Sequence, residues 1–124
     1  MNETDIIKSE EREINKIVNE IARLLSETKA EDVVLLDVRQ VVSFTDYIII
    51  ATANSSTHIG GLYKAIIESL KNTKFEQYMP RKIETENPWF LLDLFHFVIH
   101  IFLKQTRDYY QIERLYFNAK NISF

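Results

Sequence analysis

The sequence predicts one α+β domain, a mixed α/β arrangement in which helices flank a single central mixed sheet. Three observations lead there. DVVLLDV (32–38) and DYIIIAT (46–52) are short, β-branched and apolar throughout, as strands covered on both faces are. The stretches on either side of that pair place apolar residues three and four apart, the spacing of one helix face. WFLLD (89–93) and HFVIHIFL (96–103) stand two residues apart, as the arms of an antiparallel hairpin do. The order is helix, two strands, helix, two or three strands, helix, which suits helices packed on one sheet.

Composition sets the bounds. A chain of 124 residues fits one domain, and 46% hydrophobic residues suffice for a core. With no cysteine there is no disulfide framework, thiol nucleophile or thiolate metal site. No apolar run reaches the roughly 20 residues that span a bilayer. The start, MNETDIIKSEERE, is charged and lacks the apolar segment of a signal peptide. A soluble cytoplasmic protein, away from membranes, is expected. The net charge of −3 arises in residues 1–31, which hold eight acids and five bases. Clustered Lys and Arg, the mark of a nucleic-acid partner, are missing, so no direct nucleic-acid specificity is expected.

Each element has its own grounds. Residues 1–8 are expected as a loose arm, with the domain proper over 9–119. From Ser9 to Thr28 the residues Ile14, Ile17, Val18, Ile21, Leu24 and Leu25 make one stripe. Glu10, Glu11 and Glu13 suit the positive end of that helix. RQVVSFT (39–45) turns the chain between the first two strands. Asn54, Ser55 and Ser56 offer capping oxygens to a second helix, whose stripe is Ile59, Leu62, Ile66 and Leu70. Gly60 and Gly61 fall inside that helix. They lack the spacing of a phosphate-binding loop, and close packing of helix on sheet is the favoured reason for them. FEQYMPRKIETENP (75–88) reads as a weak edge strand with a turn, since Pro80 suits an edge. Leu94 and Phe95 make the hairpin turn. Thr106 caps a last helix with the stripe Tyr109, Ile112, Leu115 and Tyr116, and the tail 120–124 is expected to fray.

Catalytic chemistry finds little footing. Asp37, Asp46 and Asp93 lie at strand ends, but none belongs to an acid-x-acid pair, the usual donor set of a two-metal site. They read as capping or loop acids. His96 and His100 are four apart, which on a strand is about 13 Å, too far for one metal ion. Ser55, Ser56 and Thr57 lack a nucleophile elbow. No catalytic residue, metal or cofactor is expected.

Binding is better supported. Strand alternation puts Trp89, Leu91 and Asp93 in one row and Phe90 and Leu92 in the other. The acid in the first row points to that row as the exposed one, and an exposed Trp and Leu make a binding patch. The alternative is ordinary core packing. Adjacent Tyr109 and Tyr110 cannot both face one core, so at least one is accessible.

With these residues in view, the chain resembles the ribosomal silencing factor family, also called Iojap. The resemblance runs from the first helix to about Ala119. It rests on KAEDVVLLDVRQVVSFTDYIIIATANSSTHI, then WFLLDLFHFVIHIF, then RDYYQIERLY. It implies a fold similar to that of nucleotidyltransferases but without a working active site. It also implies a factor that is not an enzyme. Such a factor binds a ribosomal protein of the large subunit, at the face that receives the small subunit, and blocks subunit joining. Organellar relatives act in large-subunit assembly. Trp89, Asp93 and His100 match the family motif. The binding role is carried to Trp89 and Asp93, with Leu91 added from strand alternation and Phe95 and Tyr110 as aromatic neighbours. There are departures: Glu84 is followed by Thr85 where the family has Glu-Gly, and Phe95 and His96 stand where it has Gly-Asp. Two other readings stay open. One is a nucleotide-binding enzyme using Asp46 and Ser55 to Thr57. The other is a self-associating scaffold, because edge strands and exposed aromatics also support a homodimer.

Overall fold

The computed structural model describes residues 2–124. Helix α1 (Glu3–Glu27) starts earlier than the sequence predicts: residues 3–8 of the expected loose arm are its first turns, and Met1 lies outside the described residues. Asn2 explains the start: its side-chain oxygen accepts the Asp5 N–H at 2.9 Å, and Glu3 and Asp5 sit at the positive helix end. These turns are solvated, so no apolar stripe marks them. Further along, Ile14, Ile17, Val18, Ile21 and Leu25 are buried, as their spacing predicts.

The strands are β1 (Glu31–Asp37), β2 (Tyr47–Ala53), β3 (Trp89–Asp93), β4 (Phe97–Leu103) and β5 (Lys120–Ile122). They form one mixed sheet in the order β3-β4-β2-β1-β5. Strands β2 and β4 run parallel, and the other three pairings are antiparallel. Strand β2 is buried along its whole length, as its sequence predicts. Strand β1 is not. Its first residues are exposed, and the register slips between Glu31 and Val34, where Asp32 has φ 48°.

One sheet face packs Leu35, Ile49, Ile99 and Ile101 against α1 and α2 (Ser56–Leu70). The other face packs Leu36, Ile48, Ile50 and Phe102 under Ile112, Tyr116 and Ala119 of the C-terminal segment, with Val41 and Val42. Each fully buried isoleucine of β2 contributes about 1.5–3 kcal/mol. At the β3 edge of this face Tyr110 reaches Trp89, and Leu91 and Asp93 stay exposed.

Three further expectations need correction. The segment from Phe75 is not an edge strand: Lys74–Tyr78 is a 3-10 turn capped by Thr73, whose hydroxyl accepts the Phe75 N–H, followed by irregular chain. The last helix, α3 (Lys104–Tyr110), begins before Thr106 and stops at Gln111, which is left-handed (φ 44°, ψ 50°). A 3-10 turn over Ile112–Tyr116 follows, so Ile112 is buried while Tyr109 and Leu115 are exposed. The tail does not fray at once: Lys120–Ile122 pairs with β1, Ile122 opposite Leu35. Among the described residues no helix is long and apolar enough to cross a membrane.

Candidate functional site

The row that alternation singles out lies on the β3 edge of the second sheet face. Trp89 is opposite Phe102, Leu91 opposite His100, and Asp93 opposite Val98. Leu91 is 55% exposed and Asp93 is exposed, while Trp89 is half-buried. The indole of Trp89 packs against two rings, with centroids 4.8 Å from Phe102 and 5.0 Å from Tyr110 of α3. Its Nε1–H donates to Nδ1 of His100 at 3.0 Å. Burial pushes the His100 imidazole down to about 4, so it is neutral at pH 7 and can accept that bond.

Asp93 closes the far end of the row. Its Oδ1 accepts the N–H of Phe95 at 2.9 Å. The hairpin turn is tight: the His96 N–H reaches the Leu94 carbonyl at 2.8 Å around Phe95, whose φ is 70°. That is a γ-turn of positive φ, a strained form for a residue with a side chain. The turn residues are Phe95 and His96, because Leu94 still donates to the Phe97 carbonyl. Thr45 and Asp46 donate to the carbonyls of Phe95 and His96 and tie the turn to the β1–β2 connection.

Of the five residues expected to bind a partner, Trp89, Leu91, Asp93 and Tyr110 share one side of the molecule. Phe95 does not join them. Its ring stacks on Tyr78 at 5.5 Å, and Tyr78 packs against the helix-covered core. The sequence reading missed Phe44, Leu115 and Phe117 as exposed apolar residues. Leu115 and Phe117 are exposed because the chain breaks at Gln111, which no periodicity announces. Four residues from Trp89 to Asp93 span about 13 Å on a strand, before Tyr110 is added. An open ridge of that length offers an edge to a macromolecule and no enclosure for a small ligand.

The competing nucleotide site does not assemble. Asp46 precedes β2 and Ser55 to Thr57 follow it, so seven strand residues hold them more than about 20 Å apart. The loop after β2 is occupied by its own groups. Ser55 Oγ accepts the His58 N–H at 3.0 Å, His58 Nδ1 accepts the Asn54 N–H at 2.9 Å, and Nε2 faces the Thr28 carbonyl at 2.8 Å. His58 thereby fastens this loop to the end of α1. Close packing does not explain the glycines of α2. A Cβ on Gly60 would meet only Thr85 Oγ1, at 3.9 Å, and one on Gly61 would meet nothing within 4 Å. Asp37 holds Arg39 through two bonds of 3.0 and 2.7 Å, and that partner lowers the carboxyl pKa. Among the described residues no three His, Asp or Glu side chains are placed to hold one metal ion.

Comparison with known proteins adds a family. The profile of the family described as "Ribosomal silencing factor during starvation" matches residues 11–124. The ribosomal silencing factor RsfS of Haemophilus influenzae is 31% identical over 100 residues, covering 81% of this chain and 97% of that protein. The chloroplastic protein Iojap of Zea mays is 35% identical over 102 residues, covering 82% of this chain. The mouse protein named "Mitochondrial assembly of ribosomal large subunit protein 1" is 27% identical over 101 residues, covering 80%. The chain spans about 44% of the length of each of these two organellar relatives. A crystal structure of a Chromobacterium violaceum protein superposes with a TM-score of 0.72 at 28% identity, covering 90% of this chain and 91% of that one.

Proposed function

Because the chain belongs to the ribosomal silencing factor family, we propose that it docks on the large ribosomal subunit and blocks joining of the small one. The partner is a ribosomal protein on the face that receives the small subunit. The observation behind this reading is the open row of Trp89, Leu91 and Asp93 with Tyr110 beside it: aromatic anchors, an exposed leucine and a carboxylate on a rigid strand. Such rows suit protein partners. Asp93 brings a negative charge to the far end and favours a cationic group on the partner.

Blocking needs no chemistry. A 124-residue domain has a radius of gyration of roughly 14 Å, so it stands more than 25 Å proud of whatever it binds. Two surfaces that must touch cannot close over an object of that height. The protein is then a cytoplasmic, non-enzymatic regulator, and its effect follows its occupancy. The name of the mouse relative supports a second role, in assembly of the large subunit, through the same docking row.

Light scattering of separated subunits, mixed with excess protein, tests the blocking step. The unmodified protein should suppress the rise that marks subunit joining, and Leu91→Ala with Asp93→Ala should restore most of it. Both positions are exposed, so their truncation leaves the core alone. Full joining in the presence of saturating, subunit-bound protein would refute steric blocking.

A further inference from the structure

We propose that His100 is a positioning residue for docking: its neutral imidazole holds the Trp89 indole in the orientation in which a partner meets it. This rests on the reading of the Trp89 row as the docking face. Trp89 lies on an edge strand and is half-buried, so backbone pairing fixes its Cα but leaves the ring to its neighbours. Phe102 and Tyr110 supply two walls, yet aromatic contacts tolerate tilts, and the planes here meet at 34° and 46°. The bond from Nε1–H to His100 Nδ1 adds direction, at 3.0 Å.

The register allows it. His100 faces Leu91, so it is the diagonal neighbour of Trp89 across the ladder, within reach of a long side chain. The imidazole is itself fixed. It is 9% exposed and lies nearly parallel to Phe102, with an interplanar angle of 9°. An acceptor in this place must be flat enough to stack and uncharged when buried. A carboxylate fails the second condition and an amide lacks the ring. Because Nδ1 accepts, the ring proton sits on Nε2. An indole ordered before contact spares the partner the entropy of ordering it, which is worth about fivefold to tenfold in affinity.

The test uses the fact that Trp89 is the only tryptophan. Nitrogen-15 spectra show one indole N–H signal and report the His100 tautomer directly. At pH 7 the unmodified protein should show Nδ1 without a proton and slow hydrogen exchange at the indole. A proton on Nδ1 would overturn the proposal without any variant. Affinity for large ribosomal subunits is then measured for His100→Leu, which removes the acceptor, and His100→Asn, whose oxygen stands near the place of Nδ1. The leucine variant should bind fivefold to tenfold more weakly with faster indole exchange, and the asparagine variant, which keeps an acceptor without the stacked ring, should recover both in part. Leu91→Ala separates the two readings, since it should weaken docking and leave the indole signal in place. If Leu91→Ala weakens binding while His100→Leu binds normally, the positioning role is wrong and the docking face stands. If neither variant changes binding, the docking face itself is wrong.

Discussion

The strain at Phe95 can be measured by comparing two variants that both remove the ring. Phe95 is 63% exposed, so about a third of its surface is lost from water, roughly 75 Å² of a 200 Å² side chain. At about 25 cal/mol per Å² that is near 2 kcal/mol, to which the stack on Tyr78 adds about 0.5–1.5 kcal/mol. Phe95→Ala and Phe95→Gly both lose these contributions. They differ in the backbone. At φ 70° a Cβ costs about 1–2 kcal/mol, whereas glycine adopts the turn freely. Against this, glycine gives the unfolded chain extra freedom worth about 0.4–1 kcal/mol. The two terms leave Phe95→Gly the more stable of the pair, by roughly 0.5–1 kcal/mol. Taking about 2.1 cal/mol/K per residue over 124 residues, that is a Tm higher by about 2–4 °C. Differential scanning calorimetry of the two variants decides it. An alanine variant as stable as the glycine one, or more so, would refute the strain at this turn.

Three other outcomes follow from the same structure. The His100 pKa of about 4 lies below its ordinary 6.5, so the unfolded chain binds the extra proton: stability is fully present above pH 6.5 and falls by about 3 kcal/mol as pH drops to 4. Urea titrations across that range should show the fall, and His100→Asn should lessen it relative to the unmodified protein. Gly61→Ala should stabilise by about 0.5–1 kcal/mol, because the position is helical and open; a loss on thermal unfolding would contradict that. Arg107 is buried and donates to Glu113, the Asp32 carbonyl and Thr52 Oγ1 at 2.7–2.9 Å. Arg107→Met should cost about 2–4 kcal/mol in a urea titration, and a cost under 1 kcal/mol would show that this clamp matters little.

What the sequence conveys about this fold depends on where each element finds its partners. Strand β2 and the helix stripes of α1 and α2 are legible because a covered face imposes a period. The first turns of α1 have no covered face and depend on the Asn2 cap and the acids Glu3 and Asp5, so they read as loose chain. Strand β5 exists because β1 offers it a free edge, a fact of the sheet that a three-residue segment cannot announce. Gln111 breaks the last helix without glycine or proline, and the expected stripe therefore ran on into Leu115.

The candidate site divides in the same way. The Trp89, Leu91 and Asp93 row follows from alternation and needs no register. The bond between Trp89 and His100 does need it. A turn of Leu94 and Phe95 sets Trp89 directly opposite His100, whereas the observed turn of Phe95 and His96 moves Trp89 opposite Phe102. A slip of two residues keeps every side chain on its face, so the row survives while its contacts change. Phe95 leaves the row because Tyr78 receives its ring, and Tyr78 lies in the segment whose structure the pattern misreads.

Co-sedimentation of the purified protein with separated ribosomal subunits, taken from the source organism, tests the central claim most directly. The expected result is pelleting with the large subunit and not with the small one, weakened about tenfold or more by Trp89→Ala in a variant shown by circular dichroism to stay folded. Pelleting with neither subunit, or equal pelleting of the folded Trp89→Ala variant, would contradict docking through this row.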